Sequence, residues 1–420
     1  MRAETDGDDW EVRLHEPSAS ALYLHIPFCV RKCAYCDFPS GTTAREDPLM
    51  DAYRAAIELQ LHEVEAVGLL EGCETAYVGG GTPTMLGTGL GELIGRIRDA
   101  APVTELTCEA NPDSLSDEVI DAVRTAGATR LSVGVQSLDD GELGLLGRIH
   151  TASEARGRVK AAVSSGLSVS CDLMCAIPGQ TRASWNRTLS EAVSLGVGHV
   201  SVYPLMIEEG TALAARVGDD TPAWNDEDVE ADRMVQAQSV LEGAGFSRYE
   251  VASYARQGEE CRHNIAYWTG RTYLGLGTSA ASMFSVEAYS RLLEICPQLP
   301  PIPEGCLRVR LTCTSSPRSI ALGPELKKMS YDLEFLTIKQ ALAEDLMLGA
   351  RLSFGLSEAL VASSRRSIGR EVDVTLRRLV DEGFLDESLA PTRQGWLLGN
   401  ELYGRLWELG GTGNVRSASC

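Results

Sequence analysis

Three cysteines stand close together near the start of the chain, in the stretch LHIPFCVRKCAYCDFPS that ends at Ser40. Cys29, Cys33 and Cys36 are separated by four and then three positions. Thiolates prefer soft or borderline metals, which makes zinc and an iron–sulfur cluster the candidates. A structural zinc needs a fourth ligand, which His25 could supply, whereas a 4Fe-4S cluster on three cysteines leaves one iron open to an exchangeable ligand. The spacing favours the cluster, and zinc remains the alternative.

A second set of polar residues follows the predicted strands of the same region. Since chemistry in α/β folds gathers at the carboxyl ends of parallel strands, we expect these residues to converge on the cysteines. They suit a polar, zwitterionic ligand, because glycines allow close backbone approach and carboxylates and amides bind ammonium and hydroxyl groups. The set is Gly79, Gly80, Gly81, Thr82, Glu109, Asn111, Gln136, Arg148, Asp172 and Tyr203.

The elements that must position these residues repeat in order between Ala21 and Leu205. Short β-rich runs end in polar or glycine-rich turns and are followed by helical patterns. Several predicted helices begin at Ser or Thr and end at Gly, as in Ser116 to Gly127 and Ser153 to Gly166. Six such β/α units predict a parallel sheet, either open and doubly wound or closed as a full or partial barrel. The predicted strands are ALYLHI, TAYVGG, ELTCEA, RLSVGVQ, SVSCDLM and HVSVYPL.

The rest of the chain predicts further regions. Residues 1–20 form a polar extension, and residues 21–283 hold the β/α units and the stretch HNIAYW. Residues 284–330 are rich in Pro, Ser and Cys and are expected to be an irregular linker or insertion. Helical patterns return over residues 331–410 as a small winged-helix-like domain, and residues 411–420 are expected to be a disordered tail.

Composition narrows the class of protein. The formal net charge of -21 argues against a nucleic-acid partner, because such binding draws on Lys and Arg. The polar, acidic N-terminus and the lack of a long apolar run predict no signal peptide and no membrane span, hence a cytoplasmic protein. Thiols stay reduced in that compartment, so the twelve cysteines are not expected to form disulfides. Six isolated ones are expected to be small buried hydrophobes: Cys73, Cys108, Cys171, Cys175, Cys296 and Cys313.

With these motifs in order, the chain resembles a known family of radical S-adenosylmethionine (SAM) proteins. The stretches YLHIPFCVRKCAYCDF, VGGGTPTML, EANPDSL, RLSVGVQSLDD, LGRIHT, DLMCAIPGQT and ECRHNIAYW resemble the oxygen-independent coproporphyrinogen III oxidase family. The resemblance covers residues from about Ala21 to Ser282, with a weaker echo in the C-terminal region. It implies an α/β fold: a partial (β/α)6 TIM-like barrel of the radical SAM type, followed by the small helical domain.

The resemblance also implies cofactors and the residues that bind them. Cys29, Cys33 and Cys36 would hold a 4Fe-4S cluster, preceded at the last position by the aromatic Tyr35, and the open iron would bind the amino and carboxylate groups of SAM. The reduced cluster would donate an electron to the sulfonium and release a 5'-deoxyadenosyl radical, which calls for an electron donor. The positions that match the SAM pocket are Tyr23, Tyr35, Gly80, Gly81, Thr82, Glu109, Gln136, Arg148 and Asp172.

The stretch HNIAYW separates two functions. A lone histidine beside aromatic residues is usually a packing residue, but HNxxYW resembles the haem-chaperone (HemW-type) branch of the family, which implies that His263 binds haem. The oxidases of the family carry a further cysteine where this chain has Phe38, and a longer segment before the cluster loop. We therefore expect a carrier that binds haem or another tetrapyrrole and delivers it to an acceptor protein. The alternatives are the oxidase, which decarboxylates coproporphyrinogen III, and a radical SAM enzyme with a different substrate.

Overall fold

One large sheet organises the chain. The structure is a computed structural model that describes residues 15–217, 226–411 and the backbone of 416–419. Within this part of the chain, thirteen strands pair side by side and two short strands, β2 and β3, pair separately. The strands are β1 Ala21–Ile26, β2 Phe28–Cys29, β3 Gly41–Thr42, β4 Thr75–Gly80, β5 Glu105–Ala110, β6 Arg130–Gln136, β7 Ser168–Cys175, β8 His199–Pro204, β9 Ser247–Arg248, β10 Ser253–Ala255, β11 Tyr273–Leu276, β12 Ala281–Ser285, β13 Cys306–Cys313, β14 Tyr331–Thr337 and β15 Arg416–Ser419.

The predicted parallel sheet is confirmed. Strands β1, β4, β5, β6, β7 and β8 lie in that order and pair in parallel, with helices in the crossovers. Their residues are buried almost throughout, as expected for parallel strands covered on both faces. The sheet remains open at both ends, so the architecture is a partial barrel. The cysteine loop follows the carboxyl end of β1.

The helices pack around this sheet. Ser116 caps the helix that it was predicted to start, accepting a hydrogen bond from the backbone of Val119. The helix predicted to start at Ser153 begins at Ala152, because Thr151 caps it in a reciprocal bond pair with Glu154. None of the helices in the described ranges is long and apolar enough to cross a membrane. The helices are α1 Pro48–Ala66, α2 Gly89–Ala100, α3 Asp117–Thr125, α4 Asp140–Leu146, α5 Ala152–Ser164, α6 Arg182–Ser194, α7 Ala212–Val217, α8 Glu227–Gly243, α9 Arg262–Trp268, α10 Val286–Ile295, α11 Pro317–Leu322, α12 Ile338–Gly349, α13 Glu358–Ser367, α14 Arg370–Asp381, α15 Arg393–Leu397 and α16 Gly399–Trp407.

The prediction of an irregular segment over residues 284–330 is wrong about its local structure. This segment contains α10, β13 and α11, and β13 pairs antiparallel with β12 and β14. The pattern was present in the sequence, since Val309, Leu311 and Cys313 alternate along β13 and are buried. The prolines that suggested an irregular segment flank the strand instead of interrupting it. This antiparallel extension joins the barrel through β11, which pairs in parallel with β1.

The C-terminal helices have an apolar core of their own. Leu342, Leu346, Leu376 and Leu402 belong to it. The region predicted as helical from residue 331 begins with strand β14, whose side chains alternate between buried and less buried, and helix starts only at Ile338. Helices α12 to α16 then follow β14 as far as Trp407.

The two ends of the chain lie partly outside the described residues. Residues 1–14, most of the predicted polar extension, are among these, whereas Ala19 is fully buried against the barrel. The tail predicted to be disordered contains β15, which pairs antiparallel with β14. Pairing along an open sheet edge supplies hydrogen-bond partners that the composition of the tail did not reveal. Residues 412–415 and Cys420 are outside the described residues.

Candidate functional site

A cavity of about 330 Å³ opens at the carboxyl ends of the parallel strands. It brings together residues that are far apart in the sequence, because each lies on or just after a different strand. The predicted site residues that line it are Cys29, Cys33, Tyr35, Cys36, Gly80, Gly81, Glu109, Gln136, Arg148 and Asp172. Asn111 and Tyr203 also line it, whereas Thr82 lies behind Cys29 and Tyr23 faces a second cavity.

Two backbone contacts hold the cysteine loop in place. The amide of Ala34 donates to the carbonyl of Leu146 at the end of α4 (2.9 Å), and β2 pairs with β3. Gly81 lies directly under the loop: a Cβ there would stand 2.8 Å from the carbonyl oxygen of Phe28 and 3.0 Å from Cys29 Sγ. Glycine is therefore required at this position for the loop to approach the end of β4.

A hydrogen-bond network connects two of the thiols. Thr82 Oγ1 donates to Cys29 Sγ (3.6 Å) and accepts from Asn111 Nδ2 (2.8 Å). Asn111 Oδ1 in turn accepts from Arg148 Nη2 (2.7 Å), and Arg148 Nη1 donates to Cys33 Sγ (3.4 Å). Hydrogen-bond donors aimed at sulfur are the kind of support that orients the ligands of a metal site.

The donor set fits a cluster better than a single ion. Across the described residues, no three His, Cys, Asp or Glu side chains are close enough together to bind one metal ion. The three thiols are therefore spread wider than a zinc site requires, whereas each thiol of a 4Fe-4S cluster binds a different iron. His25, the possible fourth zinc ligand, is occupied: Nδ1 lies 2.9 Å from Tyr23 Oη and Nε2 lies 3.0 Å from the carbonyl oxygen of Pro39.

Two carboxylates lie deeper in the same cavity. Glu109 accepts hydrogen bonds from Tyr77 Oη and from the amide of Gly80, each at 2.9 Å. Burial raises the pKa of Glu109 to about 7, and the nearby Asp172 adds to this rise. Burial also raises the pKa of Asp172, while the hydroxyl of Ser132, which donates to it at 2.9 Å, opposes the shift. These acids are held where a cationic ligand group would restore their charge.

Gln136 reaches the cavity through a distortion of its strand. The register of β6 against β7 shifts between Gly134 and Gln136, and Gln136 has a φ of +63°. A left-handed backbone at a non-glycine residue is strained, and such strain is common at ligand sites. The bulge turns the amide of Gln136 into the cavity beside Arg148.

A second cavity, also of about 330 Å³, adjoins the first. Both are lined by Phe38, Tyr77 and Asn264. His263 of α9 lies in the second cavity, 1 % exposed, with Nδ1 3.0 Å from Thr75 Oγ1. Its Nε2 is buried and has no hydrogen-bond partner among the described residues. Burial lowers the pKa of His263 to about 3, so the imidazole is neutral.

The walls of the second cavity are largely aromatic. Tyr77 stacks on the ring of His263 with centroids 5.2 Å apart, and Tyr267 meets that ring edge-on at 5.0 Å. Tyr23 and Tyr273 complete the aromatic lining. The sequence analysis missed Tyr77 and gave no role to Asn264. Tyr77 could have been found from the pleat, because it lies two residues before Gly79 on β4 and therefore on the same face as that predicted site residue.

The comparisons with known proteins agree with this arrangement. Residues 23–192 match the model of the radical SAM superfamily. The chain is 40% identical over 278 residues to a heme chaperone HemW of Mycobacterium tuberculosis, covering 64% of this chain and 70% of that relative. It is 29% identical over 394 residues to the heme chaperone HemW of Bacillus subtilis, covering 91% of this chain and 98% of the relative.

A solved structure matches the fold over nearly the whole chain. It is the coproporphyrinogen III oxidase (HemN) of Escherichia coli, with a TM-score of 0.72, 19% identity, and coverage of 96% of this chain and 92% of that one. At this identity the match concerns the fold alone, and it includes the helices that follow the sheet. The sequence identity lies instead with the heme chaperones. The cysteine loop, the strand-end residues and these relatives together show that the chain belongs to the HemW family of radical SAM proteins.

Proposed function

We propose that this protein carries haem and transfers it to an acceptor protein, and that it binds a 4Fe-4S cluster and SAM beside the haem site. The observation that carries the proposal is His263, whose neutral imidazole has an unpartnered Nε2 in an aromatic cavity next to the cysteine loop. A neutral imidazole nitrogen is the form that ligates haem iron. The contact of Nδ1 with Thr75 leaves Nε2 as the free ligand atom.

The aromatic walls support the same ligand. Tyr23, Tyr77, Tyr267 and Tyr273 supply flat apolar surface that suits a macrocycle. Tyr23 therefore has a place in this cavity, in contrast to the SAM role that the resemblance implied for it. Phe38, which stands where the oxidases of the family have a cysteine, is 63% exposed at the junction of the two cavities. An exposed aromatic side chain at such a junction is available to an incoming haem or to its acceptor.

In the first cavity, Cys29, Cys33 and Cys36 hold the cluster in this proposal. When bound, the cluster supplies an open iron for SAM and, once reduced by an electron donor, the electron for its cleavage. Glu109 and Asp172 offer hydrogen-bond acceptors to the amino and hydroxyl groups of SAM and negative charge to its sulfonium, and Gln136 offers an amide to its hydroxyl groups. Tyr35, Gly80, Gly81 and Arg148 shape the pocket around these contacts, and Thr82 supports Cys29 from behind.

The haem site is tested by an anaerobic titration of the cluster-reconstituted protein with haem, followed by the absorption band. The wild type is expected to saturate near one haem per chain, and His263→Ala to bind more weakly. His263→Met should shift the band, because thioether replaces imidazole as the iron ligand. His62→Ala is the control, since His62 is exposed on α1. Saturation absent from the wild type would exclude the carrier function, and an unchanged band in both His263 variants would exclude His263 as the ligand.

The SAM site is tested separately with Glu109→Ala. This variant should retain iron and the brown colour of the cluster but bind SAM more weakly, on the order of tenfold or more. Glu118→Ala, at an exposed acid on α3, is the control. Equal SAM affinity in wild type and Glu109→Ala would remove Glu109 from the site.

A further inference from the structure

The interior of the barrel is polar well below the strand ends. Barrels of parallel strands are usually filled by layers of branched apolar side chains. Here Thr107 and Ser170, which line the cavity beneath Glu109 and Asp172, are small and hydroxylated, and so are Ser132 and Ser201, which lie in register with those two acids. Thr107 lies two positions before Glu109, and Ser170 lies two positions before Asp172. Each is therefore on the same strand face as its acid and one step deeper. These small side chains leave space beneath Glu109 and Asp172, and the proposed SAM site does not account for that space.

An arginine stands at the floor of this space. Arg130, the first residue of β6, is 5% exposed and lines the cavity. Its Nη2 donates to the carbonyl oxygen of Glu260 at 3.2 Å. Its Nε and Nη1 are buried and have no hydrogen-bond partner among the described residues. A buried guanidinium with two unsatisfied nitrogens is costly unless a ligand completes it.

The neighbouring groups leave that charge unmatched. Glu105, a buried acid two positions before Thr107 on β5, accepts hydrogen bonds from the amides of Arg262 and His263 and caps α9. His199 contacts Ser170 Oγ at 2.7 Å and Tyr249 Oη at 2.8 Å, and burial together with Arg130 lowers its pKa to about 3. No carboxylate of the described residues lies within ion-pair distance of Arg130. Beside it, Thr107 Oγ1 is also buried without a partner.

We propose that the barrel floor is a subsite for the carboxylate of a small organic acid, bound by Arg130 with Thr107 as a second donor. A guanidinium presents paired N–H groups that match a carboxylate, and the hydroxyl adds a further hydrogen bond. Arg130 is almost fully buried at the floor of the cavity, beneath Glu109 and Asp172, which favours a small acid over a tetrapyrrole. The carbon chain of such an acid extends from Arg130 towards Glu109 and Asp172. This subsite is independent of haem binding at His263.

The test uses propionate as the probe and the cluster-reconstituted full chain. Saturation-transfer NMR is expected to show saturable binding of propionate and much weaker binding of the neutral propionamide. Arg130→Gln should reduce propionate affinity on the order of tenfold or more, and Arg130→Lys should retain part of it. Thr107→Leu should abolish propionate binding, because the leucine side chain fills the space beside Arg130. This change removes no hydrogen bond of Thr107 Oγ1 within the described residues.

Arg233→Gln is the matched control, because Arg233 is also buried but pairs with Asp232 outside the cavity. It should bind propionate as the wild type does and lose thermal stability. Arg130→Gln should keep or raise the melting temperature, since it removes an unpaired buried charge. Absence of propionate binding in the wild type, equal binding of propionamide, or undiminished binding in Thr107→Leu would each overturn the proposal. The readouts do not involve haem, so the outcome is separable from that of the carrier proposal.

Discussion

At the scale of single residues, Glu109 makes the stability of the ligand-free protein depend on pH. Its pKa of about 7 lies above the ordinary 4.5, because burial disfavours the ionised form. Between these values the folded protein holds a proton that the unfolded chain has released. The stability that this proton contributes is therefore present at low pH and lost as the pH rises to about 7.

Glu109→Gln is accordingly expected to be more stable than the wild type at pH 8, by on the order of 1–3 kcal/mol. The amide keeps the shape of the side chain and carries no charge to desolvate. The gap should narrow as the pH falls towards 4.5. Denaturant unfolding of the cluster-free protein from pH 5 to pH 8 measures it, with Glu118→Gln as the exposed control. A difference in unfolding free energy between Glu109→Gln and the wild type that stays constant across this pH range would contradict the raised pKa of Glu109.

Asn111 is a second single residue with a testable role, which is to stabilise the cluster through two of its cysteines. Its amide joins Thr82, which contacts Cys29, to Arg148, which contacts Cys33. Residues behind the ligands of a metal site commonly change its affinity by about 10–100-fold. Asn111→Ala should therefore lose iron faster than the wild type under a chelator, with the fold intact by circular dichroism. Asn186→Ala, at an exposed position of α6, serves as the control. Equal rates of iron loss would exclude the network from stabilising the cluster.

The cysteines themselves permit a contrast between two classes. Changing Cys29, Cys33 and Cys36 to Ala together should abolish the brown colour and the iron content. Changing Cys73, Cys108 and Cys171 to Ala should leave both intact, because these thiols are buried in the apolar core, as the sequence predicted. Iron analysis of the reconstituted proteins distinguishes them. Stoichiometric zinc in the wild type, with iron absent, would restore the zinc interpretation.

At the scale of elements, one buried ion pair joins the antiparallel extension to the C-terminal helices. Arg308 of β13 donates to both oxygens of Asp345 on α12, at 2.6 and 2.9 Å, and both side chains are at most 3% exposed. Arg310 pairs with Glu344 on the same two elements. The geometry is bidentate, so the pair also orients the helix on the strand.

Asp345→Asn is expected to cost about 3–5 kcal/mol in the free energy of unfolding, because it leaves the guanidinium buried without its counter-charge. The double variant Arg308→Met with Asp345→Leu should recover much of this loss. Asp373→Asn, which breaks an exposed pair with Arg365, should cost less than about 1 kcal/mol. Denaturant unfolding measures all three. A loss for Asp345→Asn no larger than for Asp373→Asn would show that the buried pair does not hold the helix.

At the scale of the whole molecule, the net charge of -21 acts on every element at once. Like charges on a compact surface repel each other and lower stability. Salt shortens the range of this repulsion, from about 30 Å at 0.01 M to about 8 Å at 0.15 M. The melting temperature at pH 7.5 should therefore rise by roughly a few degrees when the salt concentration is increased over this range. A melting temperature that falls with added salt would show that specific surface ion pairs outweigh the general repulsion.

Much of the molecule follows from its sequence alone. Short β-rich runs alternating with capped helices determined a parallel sheet, and parallel strands bring their carboxyl ends to one edge whatever their exact register. The cysteine spacing and residues such as Glu109, Gln136 and Asp172 could therefore be placed in advance around one cavity. The domain boundaries remain predictions. Local composition misled where prolines flank β13, where strand β14 opens the region predicted as helical, and where the tail pairs with β14.

The tertiary structure alone decided which residues share a cavity across long separations in the chain. Tyr23 and His263 are 240 positions apart, yet both face the second cavity through strand β1 and helix α9. In the sequence Arg130 is an ordinary first residue of a strand, and only its burial beside Thr107 leaves two of its guanidinium nitrogens without a partner among the described residues. Local patterns encode which face of an element is buried. Whether a buried polar atom finds a partner depends on how separate elements pack, which no local pattern contains.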